Sequence, residues 1–125
     1  MNAEPRTVAV PILVIKPLEV DEPAWCVDPH TTSQFKADIV HNGPEIAAEI
    51  DTRHGTITYL TAWITTAPFG ILRPEPLPVV AIEIDGSTTS FTPEEVRAFT
   101  DTTRAHLDQL DRLADEANHL RGGGQ

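Results

Sequence analysis

Cys26, His30 and His41 are side chains able to hold a metal ion, and Glu22 or Asp28 stands near enough in the chain to join them. Cys26 is the only cysteine, and the two histidines are among five. Three residues separate Cys26 from His30, and ten more precede His41. Thiolate and imidazole are good zinc ligands, and a closed structural site takes four donors. Glu22, four residues before Cys26, or Asp28 could supply the fourth. Pro23 and Pro29 flank the thiol and limit the conformations that compete with closure. The same residues have two other readings. One is a buried thiol with unrelated surface imidazoles. The other is a nucleophile, Cys26 paired with His30 or His41 and oriented by Asp28 or Asp38, although no signature of cysteine hydrolases surrounds Cys26.

The elements that must position these residues are legible to different degrees. Thr7–Ile15 is apolar on both faces and rich in β-branched residues, which predicts a buried strand, at a sheet edge or bulged where Pro11 lacks a donor. Residues 16–44 read as loop-rich, with Lys16–Val40 irregular, Lys36–His41 as a short strand and Asn42-Gly43-Pro44 as a turn. A loop of about 20 residues without structure of its own is unusual in a compact domain, so something is expected to fix it.

Ile46–Ile50 and Thr56–Thr65 read as antiparallel strands joined through Gly55, with Leu60 and Ile64 turned to the core. Arg73–Pro78 reads as a stiff extended connection. Val79–Ile84 and Thr88–Phe91 flank the Asp85-Gly86 hairpin pair. Thr92-Pro93-Glu94-Glu95 is a capping box that opens a helix over about 93–118. Val96, Phe99, Thr103, Leu107, Leu110, Ala114 and Ala117 share one stripe of it, widened late by Leu113 and Leu120. Residues 122–125 read as a flexible tail. The expected fold is α+β: an antiparallel sheet of about five strands packed against one long C-terminal helix, in a single domain over 1–121. A helix of that length, roughly 39 Å, outruns strands of about 20 Å, which predicts a homodimer or a protein partner along its apolar stripe.

Composition narrows the function. A formal net charge of −10 and a pI near 4.7 disfavour direct contact with nucleic acid, whose phosphates call for a basic surface. No apolar run approaches the roughly 20 residues of a membrane span. A single cysteine cannot form an internal disulfide, and the protein reads as cytoplasmic. No phosphate-binding glycine loop, dinucleotide fingerprint or serine nucleophile elbow is present.

The segment Glu22-Pro-Ala-Trp-Cys26-x-x-x-His30, continued by Asp38-Ile39-x-His41-x-Gly43, resembles an uncharacterised family of small bacterial proteins, a domain of unknown function with a C-P-x-W-C-x3-H…H signature. The resemblance covers roughly residues 20–118. It implies a β-rich middle, a closing helix and ligand positions at Cys26, His30 and His41. Glu22 stands where that signature has its first cysteine, so the resemblance leaves open whether a carboxylate closes the site. It carries no activity. The chain therefore reads as a non-enzymatic binding or accessory module with a loop ordered by a structural zinc ion. The alternative is a small hydrolase-like enzyme using a metal or Cys26 at the same loop.

Overall fold

The computed structural model describes residues 5–12, 18–31, 35–70 and 74–123. The chain is α+β and divides into two compact units, Met1–Thr92 and Pro93–Gln125.

The first unit holds two antiparallel sheets. β1 (Arg6–Val10) and β2 (Leu18–Glu22) form a two-stranded sheet, with Val8 opposite Val20, Val10 opposite Leu18 and Arg6 opposite Glu22. The second sheet has five strands: β3 (His41–Asn42), β4 (Ile46–Thr52), β5 (Gly55–Ala67), β6 (Glu75–Ile84) and β7 (Ser87–Phe91). β3 and β4 share one side of β5, and β6 and then β7 follow on the other.

The expected sheet of about five strands is present, with a different first member. Among the described residues β1 pairs with β2 in a sheet of its own, and β3 takes a place in the main sheet. β2 corrects the reading of Lys16–Val40 as wholly irregular. Its sequence, Leu-Glu-Val-Asp-Glu, alternates apolar and acidic residues and buries Val20. Lys36–Asp38 is a short 3-10 turn, and strand pairing begins only at His41. β1 ends at Val10, just before Pro11; the rest of the predicted strand beyond Ile12 lies outside the described residues. Part of the predicted Arg73–Pro78 connection is strand, since β6 starts at Glu75; Arg73 itself lies outside the described residues.

The core of this unit forms where the hairpin is covered. Val10, Val20 and Ile39 are buried together, and Val8, Ile12, Leu18 and Phe69 pack against them. Among the described residues, Ala62, Val79, Ala81 and Ile82 are the buried apolar residues of the main sheet, and His41 and Thr66 its buried polar ones. Leu60 and Ile64, expected in the core, are not fully buried. Leu60 has a φ of 54° at a bulge where β5 carries one residue more than β4, so the alternation breaks there. Ile64 is 44% exposed. At the β6–β7 hairpin, Asp85 (φ 51°) and Gly86 (φ 77°) both take left-handed backbone, the mirror-image turn that matches strand twist.

The second unit is a single helix, α1 (Pro93–Arg121), with Glu94 and Glu95 in its first turn and His119 and Arg121 in its last, as the helix dipole favours. It runs three residues past its expected end. Gly122 donates to the Asn118 carbonyl at 3.0 Å, and Gly123, with a φ of 79°, donates to Leu120 at 3.1 Å. Among the described residues no helix is long and apolar enough to cross a membrane.

Candidate metal centre

The end of β2, the turn after it, a left-handed loop residue and the start of β3 bring Glu22, Cys26, His30 and His41 together. Glu22 is the last residue of β2. A turn follows, closed by the Cys26 amide donating to the Pro23 carbonyl at 3.1 Å. The next amide, Val27, donates to the Asn42 carbonyl at 2.8 Å, which ties the turn to β3. His30 has a φ of 52°. Asp28 makes that conformation accessible: its Oδ1 accepts the His30 amide at 2.9 Å, an Asx turn. His41 opens β3, opposite Thr66 of β5.

The four donor atoms lie within 4.8 Å of one another, close enough to hold a metal ion. Cys26 Sγ is 3.6 Å from His30 Nε2, His30 Nε2 is 2.6 Å from Glu22 Oε1, and His41 Nδ1 is 3.5 Å from the same oxygen. The two rings meet edge to face at 5.4 Å. The imidazoles are 1% and 2% exposed, and the Glu22 side chain 10%. His41 Nδ1 is buried without a hydrogen bond, its contact with Glu22 being long at 3.5 Å. An orphaned buried nitrogen is costly, and a metal ion is one partner that would satisfy it.

Tetrahedral zinc with bonds of about 2.0–2.3 Å sets its donors about 3.3–3.6 Å apart. The Cys26–His30 and His41–Glu22 separations already match, and the hydrogen-bonded His30–Glu22 pair would open by somewhat under 1 Å. The set of one thiolate, two imidazoles and one carboxylate suits zinc.

The charges are tuned by burial and by one another. Burial pushes the Cys26 thiol up, and the neighbouring Glu22 carboxylate adds to the shift. Burial pushes the His41 imidazole down, helped by repulsion from His30, so it stays neutral and able to ligate. Burial pulls Glu22 upward, but the Cys26 thiol, the His30 ring and the charge of Arg6 outweigh it and hold the carboxyl below its ordinary value. Cys26 is thus 5% exposed and favours its protonated form, a poor setting for a nucleophile.

Asp28, the other candidate for a fourth donor, is used elsewhere. Besides the His30 amide, it accepts the Asn42 side-chain amide on Oδ2 at 3.1 Å. Those two bonds outweigh burial and keep its carboxyl low. Asn42 Oδ1 in turn accepts the Trp63 indole N–H at 3.1 Å and the Thr65 hydroxyl at 2.9 Å. Asp38, considered as an orienting acid, is exposed in the 3-10 turn.

Sequence reasoning missed Arg6. Its Nη2 donates to the carbonyls of Pro23 at 3.2 Å and Cys26 at 2.9 Å and lies 3.6 Å from Glu22 Oε2, so β1 clamps the turn. The alternation of β2, read as a partner for β1, would have placed Arg6 opposite Glu22. Asn42, read only as a turn residue, is the junction between Asp28 and β5. Beside the cluster lies a cavity of about 530 Å³ with Glu22 and His41 in its wall.

Fold and site together define a class: an α+β chain with a buried carboxylate–thiol–imidazole cluster between a hairpin and a larger antiparallel sheet. The chain belongs to the family described as Domain of unknown function (DUF6907), whose model matches residues 7–119. No curated protein and no solved structure matches it.

Proposed function

We propose that the protein is a non-enzymatic cytoplasmic binding or accessory module whose 22–41 loop is ordered by a structural zinc ion held by Glu22, Cys26, His30 and His41. The observation that carries this reading is the buried convergence of the four donors, with His41 Nδ1 left unpartnered among them. Metal analysis of protein purified without added zinc, beside Cys26→Ser, tests it. We expect about one zinc per wild-type chain, little in the variant, and a melting temperature at least about 5 °C lower in the variant. Sub-stoichiometric metal in both proteins with unchanged melting would remove the zinc reading.

The apolar stripe of α1 supports a second element of the proposal, self-association or a protein partner along Leu107, Leu110 and Leu113. Sedimentation velocity over a concentration series checks the homodimer, and a monomer at every concentration ends it. The cavity beside Glu22 and His41 favours a competing reading, a small hydrolase-like enzyme using the metal. That reading needs a metal with an open coordination position, whereas a purely structural ion has none.

A further inference from the structure

The cavity touches the cluster on one side only. Glu22 and His41 line it, while Cys26 and His30 do not. The Glu22 side chain is also more exposed than either imidazole, at 10% against 1% for His30 and 2% for His41. Its second oxygen already has a partner away from the cluster, Arg6 Nη2 at 3.6 Å. Trp25, Phe69, Pro68 and Pro78 give the cavity rigid, mostly apolar walls, and Arg6 and Asp21 stand among them.

We propose that Glu22 is the exchangeable ligand of the centre, and that the cleft admits a small ring-bearing monocarboxylate whose carboxylate replaces Glu22 on the metal. This rests on the metal reading above. In the exchange one carboxylate oxygen–metal bond breaks and one forms. No electron or proton moves, and Glu22 leaves as a carboxylate that keeps its contact with Arg6.

Each part of the ligand follows from a feature of the cleft. A carboxylate fits because this position is already served by one, so the exchange conserves charge and donor type. Among the four donors the carboxylate is also the hardest, and the thiolate and imidazoles suit zinc better. A ring fits because the walls are aromatic and proline rings, which lose little freedom on contact and favour a flat apolar body. The volume of about 530 Å³ lies within the range of small-molecule sites. A single negative charge fits because Asp21 and the released Glu22 share the cleft, and a dianion or phosphate would meet both. The pocket also explains the asymmetry of the cluster. Cys26 and His30 anchor the ion from the closed side, and exchange is confined to the open one.

Cobalt(II)-loaded protein decides the matter, because its visible bands report the coordination sphere and its near-ultraviolet thiolate band reports Cys26. Phenylacetate is the probe. We expect it to shift the visible bands saturably while the thiolate band persists. Acetate, which lacks the ring, should need at least about ten-fold higher concentration, and Trp25→Ala or Phe69→Ala should weaken phenylacetate by about ten-fold. Glu22→Ala should bind phenylacetate more tightly than wild type, since nothing competes for the position. Visible bands that phenylacetate leaves unmoved in wild-type protein with a normal thiolate band overturn the exchange and leave the metal centre standing. Absence of any cobalt–thiolate band overturns both. Equal affinity for acetate and phenylacetate overturns the assignment of the cleft as the ring's site.

Discussion

Asp28 takes the His30 amide on one carboxylate oxygen and the Asn42 side chain on the other, and so fixes both a left-handed backbone and the join to β3. Histidine tolerates positive φ better than most residues, but the conformation still needs support. Asp28→Ala removes both bonds and leaves Asn42 short of an acceptor. We expect a stability loss of about 1–3 kcal/mol by urea denaturation, and zinc affinity lower by about ten-fold or more because His30 loses its orientation. Asp28→Asn retains an acceptor for the His30 amide and should recover part of each loss. An Asp28→Ala protein with wild-type affinity and stability would show that His30 is positioned by other means. The cysteine and histidines of the cluster stood out in the sequence because their side chains announce their chemistry. Asp28 and Asn42 were harder to read, since their work is hydrogen bonding that only the folded register defines.

At the scale of elements, the site depends on a register. Arg6 stands opposite Glu22 in the hairpin, and His41 opposite Thr66 in the main sheet. A slip of one residue in β2 would turn Glu22 to the other face, because strand side chains alternate. The helix, the β4–β5 pair and the β6–β7 hairpin could be read locally, from a capping box, alternation and Asp85-Gly86. β2 could not, since five residues with three acids carry a weak strand signal until β1 supplies a partner. The bulge at Leu60 was equally hidden, because leucine gives no hint of positive φ. Gly86 shows the opposite case. Its φ of 77° suits glycine and strains any other residue, while space around it is open. Gly86→Ala should therefore cost about 1 kcal/mol by urea denaturation, through backbone strain and without a clash. A neutral substitution would mean that the turn relaxes to another type.

For the whole molecule, the buried cluster shapes the response to pH. The folded state holds His41 below its ordinary pKa, so the unfolded chain takes up that proton first as the pH falls. Stability of the zinc-free protein should thus be lost on acidification from about pH 6.5 downward. The lowered carboxyls of Glu22 and Asp28 extend the loss through the carboxylate range. Cys26 acts at the other end. Its raised pKa keeps the proton on the folded chain longer than on the unfolded one, so stability should fall again above about pH 8.5. Melting temperatures across this range check the prediction, and a profile flat from pH 7 to 4 would contradict it. The α+β class was readable because it rests on long stretches of pattern, and the family was readable from the short run between Glu22 and Gly43. The division of the β-rich part into a hairpin and a separate five-stranded sheet was not, because it depends on which strand pairs with which.

The chain of hydrogen bonds from Asp28 through Asn42 ends on the indole of Trp63. Indole emission responds to the strength of the N–H bond and to nearby charge, so this ring is wired to the centre as an optical gauge. In a Trp25→Phe background, loading and unloading of the site should be followable in real time from unlabelled protein. The rate at which the loop closes on an ion would then be read from light the molecule already emits.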